Sequence, residues 1–96
     1  MKKFELMPNN QKSFYGKAVV TEYSENLVVL TFYKTEVARI EKGVFVRMWG
    51  GYSATTMKHV NAFVAEYGVA GGGKKWWDAL PVDNSNIITE IINAVV

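Results

Sequence analysis

The sequence predicts an α+β fold: a four- to five-stranded antiparallel meander followed by one α-helix, a Gly-rich loop and a short C-terminal helix. Three observations carry this expectation. Apolar residues recur at period two before residue 50 and at helical spacing after it. Polar or glycine-bearing turns of two or three residues separate the strands, and connections that short join antiparallel neighbours. The chain has 96 residues, the length of one domain. Its expected parts are a sheet over 1–49, a helix over 53–67, a flexible loop over 68–75 and a C-terminal helix over 85–95.

Each element has a local reason. KKFEL at 2–6 reads as a short first strand, and Pro8-Asn9-Asn10 as a turn. Residues 13–23 are rich in aromatic and β-branched side chains and read as a strand. Ser24-Glu25-Asn26 turns the chain into LVVLTFY at 27–33, which is apolar on both parities, as a central strand should be. Lys34-Thr35 turns again into residues 36–40, and Glu41-Lys42-Gly43 into residues 44–49. Gly50-Gly51 ends the sheet. Ser53 or Thr55 is placed to cap a helix. Met57, Val60, Phe63, Val64 and Tyr67 form its apolar stripe, and Gly68 its left-handed terminus. KKWWDAL at 74–80 makes a short turn stopped by Pro81. Ile87, Ile88, Ile91, Ile92 and Val95 recur at helical spacing behind Ser85.

Strand alternation sorts the sheet into two faces. One parity collects Phe14, Gly16, Ala18, Val20, Val28, Leu30, Phe32, Ala38, Ile40, Val44, Val46 and Met48. This is the expected core face, packed on Met57, Val60 and Val64. The other parity carries Tyr15, Lys17, Val19, Thr21, Tyr23, Val29, Thr31, Tyr33, Val37, Arg39, Phe45, Arg47 and Trp49, with no carboxylate. Rings interleaved with cations suit single-stranded DNA or RNA, because bases stack on the rings while Lys and Arg follow the phosphates. Lys17, Arg39 and Arg47 are the expected phosphate contacts, and Tyr15, Tyr33 and Trp49 the stacking residues. Lys74, Lys75 and Trp76 are an accessory contact. Two other occupants fit the same face, since a large aromatic surface is seldom left bare: the isoleucine-rich C-terminal segment and a second copy of the chain, making a homodimer.

Charge supports the placement of an anion at this face. Residues 1–60 hold nine Lys/Arg against five Asp/Glu, whereas residues 61–96 hold two against four. The absence of cysteine excludes a disulfide framework, a thiolate zinc site and a cysteine nucleophile. No apolar run reaches signal-peptide or membrane-spanning length, so a cytoplasmic protein with no membrane contact is expected.

Three motifs suggest chemistry and fail on context. Gly68, four residues, Gly73 and Lys74 spell most of a phosphate-binding loop. A working loop follows a strand and ends in Lys-Ser/Thr. Here it follows a helix, and Lys75 stands where the hydroxyl belongs, so Gly71-Gly72-Gly73 reads as a flexible connector. Ser53 and His59 are a nucleophile and a base by residue type, with no neighbouring acid to orient the imidazole. A lone histidine makes no metal site. Of Trp76 and Trp77, one is expected to plug the core and the other to anchor an interface. No catalytic residue, metal or cofactor is assigned, and a non-enzymatic protein is expected.

KSFYGKA at 12–18 and GYSATTMKHVNAF at 51–63, joined by LTFYKTEVARI at 30–40, resemble a family of small uncharacterised proteins. Its members are carried by bacteriophages and mobile elements of Gram-positive gut and lactic bacteria. The resemblance spans residues 4–80 and leaves IITEIINAVV outside. Where members often read Leu-x-Ser-Tyr, this chain has Leu30-Thr31-Phe32-Tyr33. The resemblance implies a phage or plasmid origin and a cytoplasmic setting, and it transfers no functional residue. The order of four antiparallel strands and a helix is also similar to the transcription-coactivator-like single-stranded DNA-binding fold, which dimerises through its helices. The expected function is therefore single-stranded nucleic-acid binding by the basic aromatic face. The alternative is a protein-interaction module that associates with itself or binds a host protein, such as a defence or polymerase factor.

Overall fold

Alternating apolar strands, the last four joined by two-residue turns, produce a five-stranded sheet whose spatial order equals its chain order. The computed structural model describes residues 2–5 and 18–83. Its strands are β1 (Lys2–Glu5), β2 (Ala18–Ser24), β3 (Leu27–Phe32), β4 (Thr35–Glu41) and β5 (Val44–Arg47). All neighbours are antiparallel. Helix α1 (Ala54–Glu66) and the short helix α2 (Lys74–Ala79) follow. This is the expected meander-then-helix architecture. The C-terminal helix expected over 85–95, and Phe14, Tyr15, Gly16 and Lys17, lie outside the described residues.

Helix α1 starts where a side chain can satisfy its free N–H groups. Ser53 is extended (φ −149°), and its Oγ accepts from the Thr56 N–H at 3.0 Å. The helix ends at Gly68, whose φ of +65° lets its N–H return to the Ala65 carbonyl. Between these ends, Met57, Val60 and Phe63 pack on Ala18, Val20, Val28, Leu30, Ala38 and Ile40 of the sheet. The alanines at 18 and 38 leave room for the larger helix residues opposite.

The assignment of β5 to the two faces is reversed from expectation. The Lys42-Gly43 turn is two residues long, so Glu41 pairs with Val44, Ile40 with Phe45 and Ala38 with Arg47. Cross-strand partners share a face. Phe45, Arg47 and Trp49 therefore join Ala38 and Ile40 on the helix side. Val44, Val46 and Met48 point to the far side, where Met48 packs on Leu27 and Val29. A turn read one residue too long flips every side chain of the strand it delivers. Val37 departs for a second reason. The register slips between Leu30 and Thr31, leaving Val37 as the extra residue of a β-bulge, and it joins the helix-side core.

The far side of the sheet is also buried. Thr21, Leu27, Val29, Arg39 and Met48 are all shielded from solvent. Among the described residues, Asp83 contributes to this cover by reaching Arg39. Strand β3 thus buries both faces from Leu27 to Leu30, in keeping with its apolar run.

Arg47 ties the sheet to everything that follows it. Only 7% exposed, its guanidinium donates to three carbonyls: Nε to Trp49 at 2.9 Å, Nη1 to Trp77 at 2.9 Å and Nη2 to Gly51 at 3.2 Å. It also lies 4.4 Å from the centroid of the Trp77 ring. Trp77 is 1% exposed, and its indole N–H donates to the same Gly51 carbonyl at 2.9 Å. Gly51 must be glycine here, since a Cβ would lie 2.3 Å from the Trp49 ring. The backbone of Arg47 takes part as well. Its carbonyl accepts from the Asp83 N–H at 2.8 Å, and it forms a parallel bridge with Val82.

The glycine run before α2 has geometric work beyond slack. Gly71 has φ of +149°, and a Cβ there would lie 2.5 Å from the Trp76 indole. The Gly73 N–H donates to Asn61 Oδ1 of α1 at 3.0 Å. Trp76 in turn packs on Phe45, with centroids 4.8 Å apart.

Two stability predictions follow from this core. Replacing Arg47 by alanine removes three hydrogen bonds from a charged donor, each worth about 1.5–3 kcal/mol. Gly51 keeps the Trp77 indole and Trp77 keeps the Leu80 N–H, so Arg47→Ala should lose roughly 3 kcal/mol in urea unfolding. Arg47→Lys should recover only part of it, because an ammonium lacks the planar fork that reaches three acceptors. The second concerns His59, which is 0% exposed and whose ring lies tilted against Phe32, with centroids 5.0 Å apart. Its Nδ1 lies 2.8 Å from the Thr55 carbonyl, which can only accept, so Nδ1 carries the proton. Burial holds its pKa below the ordinary 6.5, against the opposing pull of the Thr55 bond, and Lys58 lowers it further. The unfolded chain takes up that proton at higher pH than the folded one. Stability is therefore complete above the ordinary value and falls as the pH drops through it. The urea midpoint should decrease between about pH 7.5 and 5.5, a window in which carboxylates stay ionised, and His59→Asn should flatten the decrease.

Candidate functional site

Of the residues expected to bind nucleic acid, Arg39 and Arg47 lie on opposite faces of the sheet. Arg39 sits on the far side of the sheet at 2% exposure. Its Nε donates to Glu41 Oε1 at 3.1 Å, and Nη2 and Nη1 reach the carboxylate and carbonyl of Asp83 at 3.2 and 3.4 Å. Arg47 is on the helix side, engaged as described above. Both arginines are turned inward and fasten the segment from Trp77 to Asp83, so their charge is spent inside the fold. Tyr15 and Lys17 lie outside the described residues. The accessory group is also internally engaged in part. Lys74 Nζ pairs with Asp78 at 2.6 Å and lies 5.2 Å from the Tyr52 ring centroid. The hydrogen bond and charge of Asp78 raise its pKa. Lys75 is exposed, and Trp76 is half-buried against Phe45.

The structure does bring Tyr33 and Trp49 together. With Phe32, Thr35, Val37 and Thr56 they line a hollow of about 120 Å³ beside the N-terminal turn of α1. Tyr33 is 62% exposed at the β3–β4 turn, with φ of +58°. That conformation is unusual for a bulky residue. Phe32 meets its ring edge-on, with centroids 4.7 Å apart.

A larger concavity occupies the opposite end of the sheet, with a volume of about 570 Å³. The β2–β3 turn and the β4–β5 turn meet there, joined by the Lys42 N–H donating to the Asn26 carbonyl at 2.8 Å. Its apolar lining comes from Val28, Ile40 and Val69. Glu22, Glu25 and Lys2 supply charge at its rim, and Tyr67 closes the side nearest α1. The Tyr67 hydroxyl donates to Glu22 Oε2 at 2.7 Å. Burial, then the bond to Glu22, pushes the phenol pKa above its ordinary value, with the charges of Glu22 and Glu66 acting in the same direction. Tyr67 therefore remains a donor at neutral pH and holds the carboxylate in place. Sequence reasoning missed this groove because its residues come from both hairpin turns and the far end of α1. One signal was legible: Glu22 shares the parity of Ala18 and Val20, which places a carboxylate on the core side of β2.

Ser53 and His59 have structural partners. Ser53 Oγ donates to Thr56 Oγ1 at 2.8 Å while accepting from the Thr56 N–H, and His59 is inside the core. Among the described residues, no group of three His, Cys, Asp or Glu side chains could hold a metal ion. No helix among them is long and apolar enough to cross a membrane.

No curated protein and no solved structure matches the chain. One family model does, over residues 2–79. Those limits run from the first residue of β1 to the last of α2, and so take in the whole meander, the Arg47–Trp77 junction and the groove. The chain therefore belongs to this family, which is described as a family of unknown function (DUF8033).

Proposed function

We propose that the protein is a non-enzymatic protein-interaction module that receives a segment of its partner in the groove between the two hairpin turns and the end of α1. The observation that carries this reading is the groove itself. Its volume of about 570 Å³ lies in the range of binding sites, and an apolar floor is bordered by a few polar groups. The inward engagement of Arg39 and Arg47 favours this reading over a sheet that tracks phosphates, because such a platform needs its cations at the surface. The resemblance to phage and mobile-element proteins supports a cytoplasmic setting and a host protein as the partner. A second reading, base stacking at the Tyr33–Trp49 hollow, rests on the convergence of those two rings.

Titration of the isotope-labelled chain distinguishes the two. A panel of short acidic, basic and apolar peptides should include one that shifts the amide resonances of Val28, Ile40 and Tyr67 saturably. A fluorescent single-stranded oligonucleotide at low salt should give no saturable anisotropy change. Oligonucleotide shifts centred on Tyr33 and Trp49, with no response to any peptide, would replace the first reading by the second.

A further inference from the structure

Building on the interaction-module reading, we infer that the groove takes a cationic side chain of the partner, an arginine or lysine from an exposed basic segment. The chemistry of the rim selects for charge. Glu22 and Glu25 both face the groove, and neither makes an ion pair among the described residues. Tyr67 engages Glu22 through Oε2, and among the described residues Oε1 makes no hydrogen bond. Lys2 lies opposite Glu22 in the β1–β2 register and lines the rim, without an ion pair to it. One ammonium thus stands against two carboxylates. The helix end adds to the imbalance. Helix α1 carries Glu66 and no basic residue in its last turn, so no cation on the helix offsets the negative end of its dipole beside Tyr67 and Val69.

The floor selects for shape. Val28, Ile40 and Val69 provide an apolar surface beneath the carboxylates. Arginine and lysine bury an aliphatic stem on such a surface while the charged head reaches the polar rim. An acidic group would meet like charge. A purely apolar group would cover Glu22 and Glu25 without compensating them, which is costly for an ionised carboxylate. A planar guanidinium could use Oε1 of Glu22 together with Glu25, the fork-like arrangement in which arginine excels.

The test uses the intact chain and a short fluorescein-labelled glycine peptide carrying paired arginines, compared with the same peptide carrying citrulline, which keeps the shape and removes the charge. The arginine peptide should shift Glu22, Val28, Tyr67 and Val69 resonances saturably. The citrulline peptide should bind about tenfold more weakly, the equivalent of ~1.4 kcal/mol. Glu25 is exposed in a turn, so Glu25→Lys should leave the urea midpoint in place and weaken the arginine peptide by a similar factor. Equal affinity for the arginine and citrulline peptides, or arginine-peptide shifts that map away from the groove, overturns the inference. If an acidic or uncharged peptide fills the groove instead, the cation preference falls and the interaction module stands. If no peptide class binds, both fall.

Discussion

The buried guanidinium of Arg47 is satisfied by the carbonyls of Trp49, Gly51 and Trp77 and stacked on the Trp77 ring, and the arrangement of the second half of the chain depends on it. An ionised group held away from water must recover its hydration from the protein, and three convergent carbonyls with an aromatic face do so without a carboxylate. The demand shapes its surroundings. The chain after β5 must fold back so that residues 49 and 51 present their carbonyls. Gly51 must lack a side chain for Trp49 to pass over it. Helix α2 must end where the Trp77 carbonyl, which also accepts from the Leu80 N–H at 3.1 Å, can face the arginine. A six-residue helix has little stability of its own, so its docking by Trp77 and Arg47 is what keeps it in place.

Much of this architecture was legible in the sequence, and the exceptions have physical causes. The strand periodicity, the Ser53 cap and the glycine at 68 are local signals, and local geometry answered them. The apolar run at 27–30 indicated a strand buried on both faces because no other environment suits it. The orientation of β5 depended on one residue of turn length, and Lys42-Gly43 closes in two. The bulge at Val37 has no sequence signal apart from its tertiary setting. Arginine at a strand position is ambiguous in the same way. Alternation says which way it points, but the carbonyls that receive it belong to loops whose paths are set by packing.

The candidate site shows the same division. Tyr33 and Trp49 were identified from their residue type on one face of the expected sheet and do share a hollow, which they reach from the β3–β4 turn and from the segment after β5. The groove is a different kind of object. Val28 and Ile40 read as ordinary core residues, Tyr67 as the end of an apolar stripe and Glu25 as a turn residue. Their joint meaning appears only when α1 terminates above the two hairpin turns. Glu22 was the exception that could have been questioned, because a carboxylate on a core-facing parity requires a partner, and Tyr67 supplies it.

The bridge between Arg47 and Val82 has a bearing on how the chain assembles. Each pairing within the meander joins segments that are neighbours in sequence, whereas this bridge closes a loop that contains both helices. Loop-closure entropy makes such a contact slow to form until the intervening elements are in place. The β3–β4 and β4–β5 hairpins can pair as soon as they are synthesised, but the Arg47 side chain has no complete set of acceptors until α2 docks. During that interval an unsatisfied guanidinium keeps the helix side of β5 hydrated.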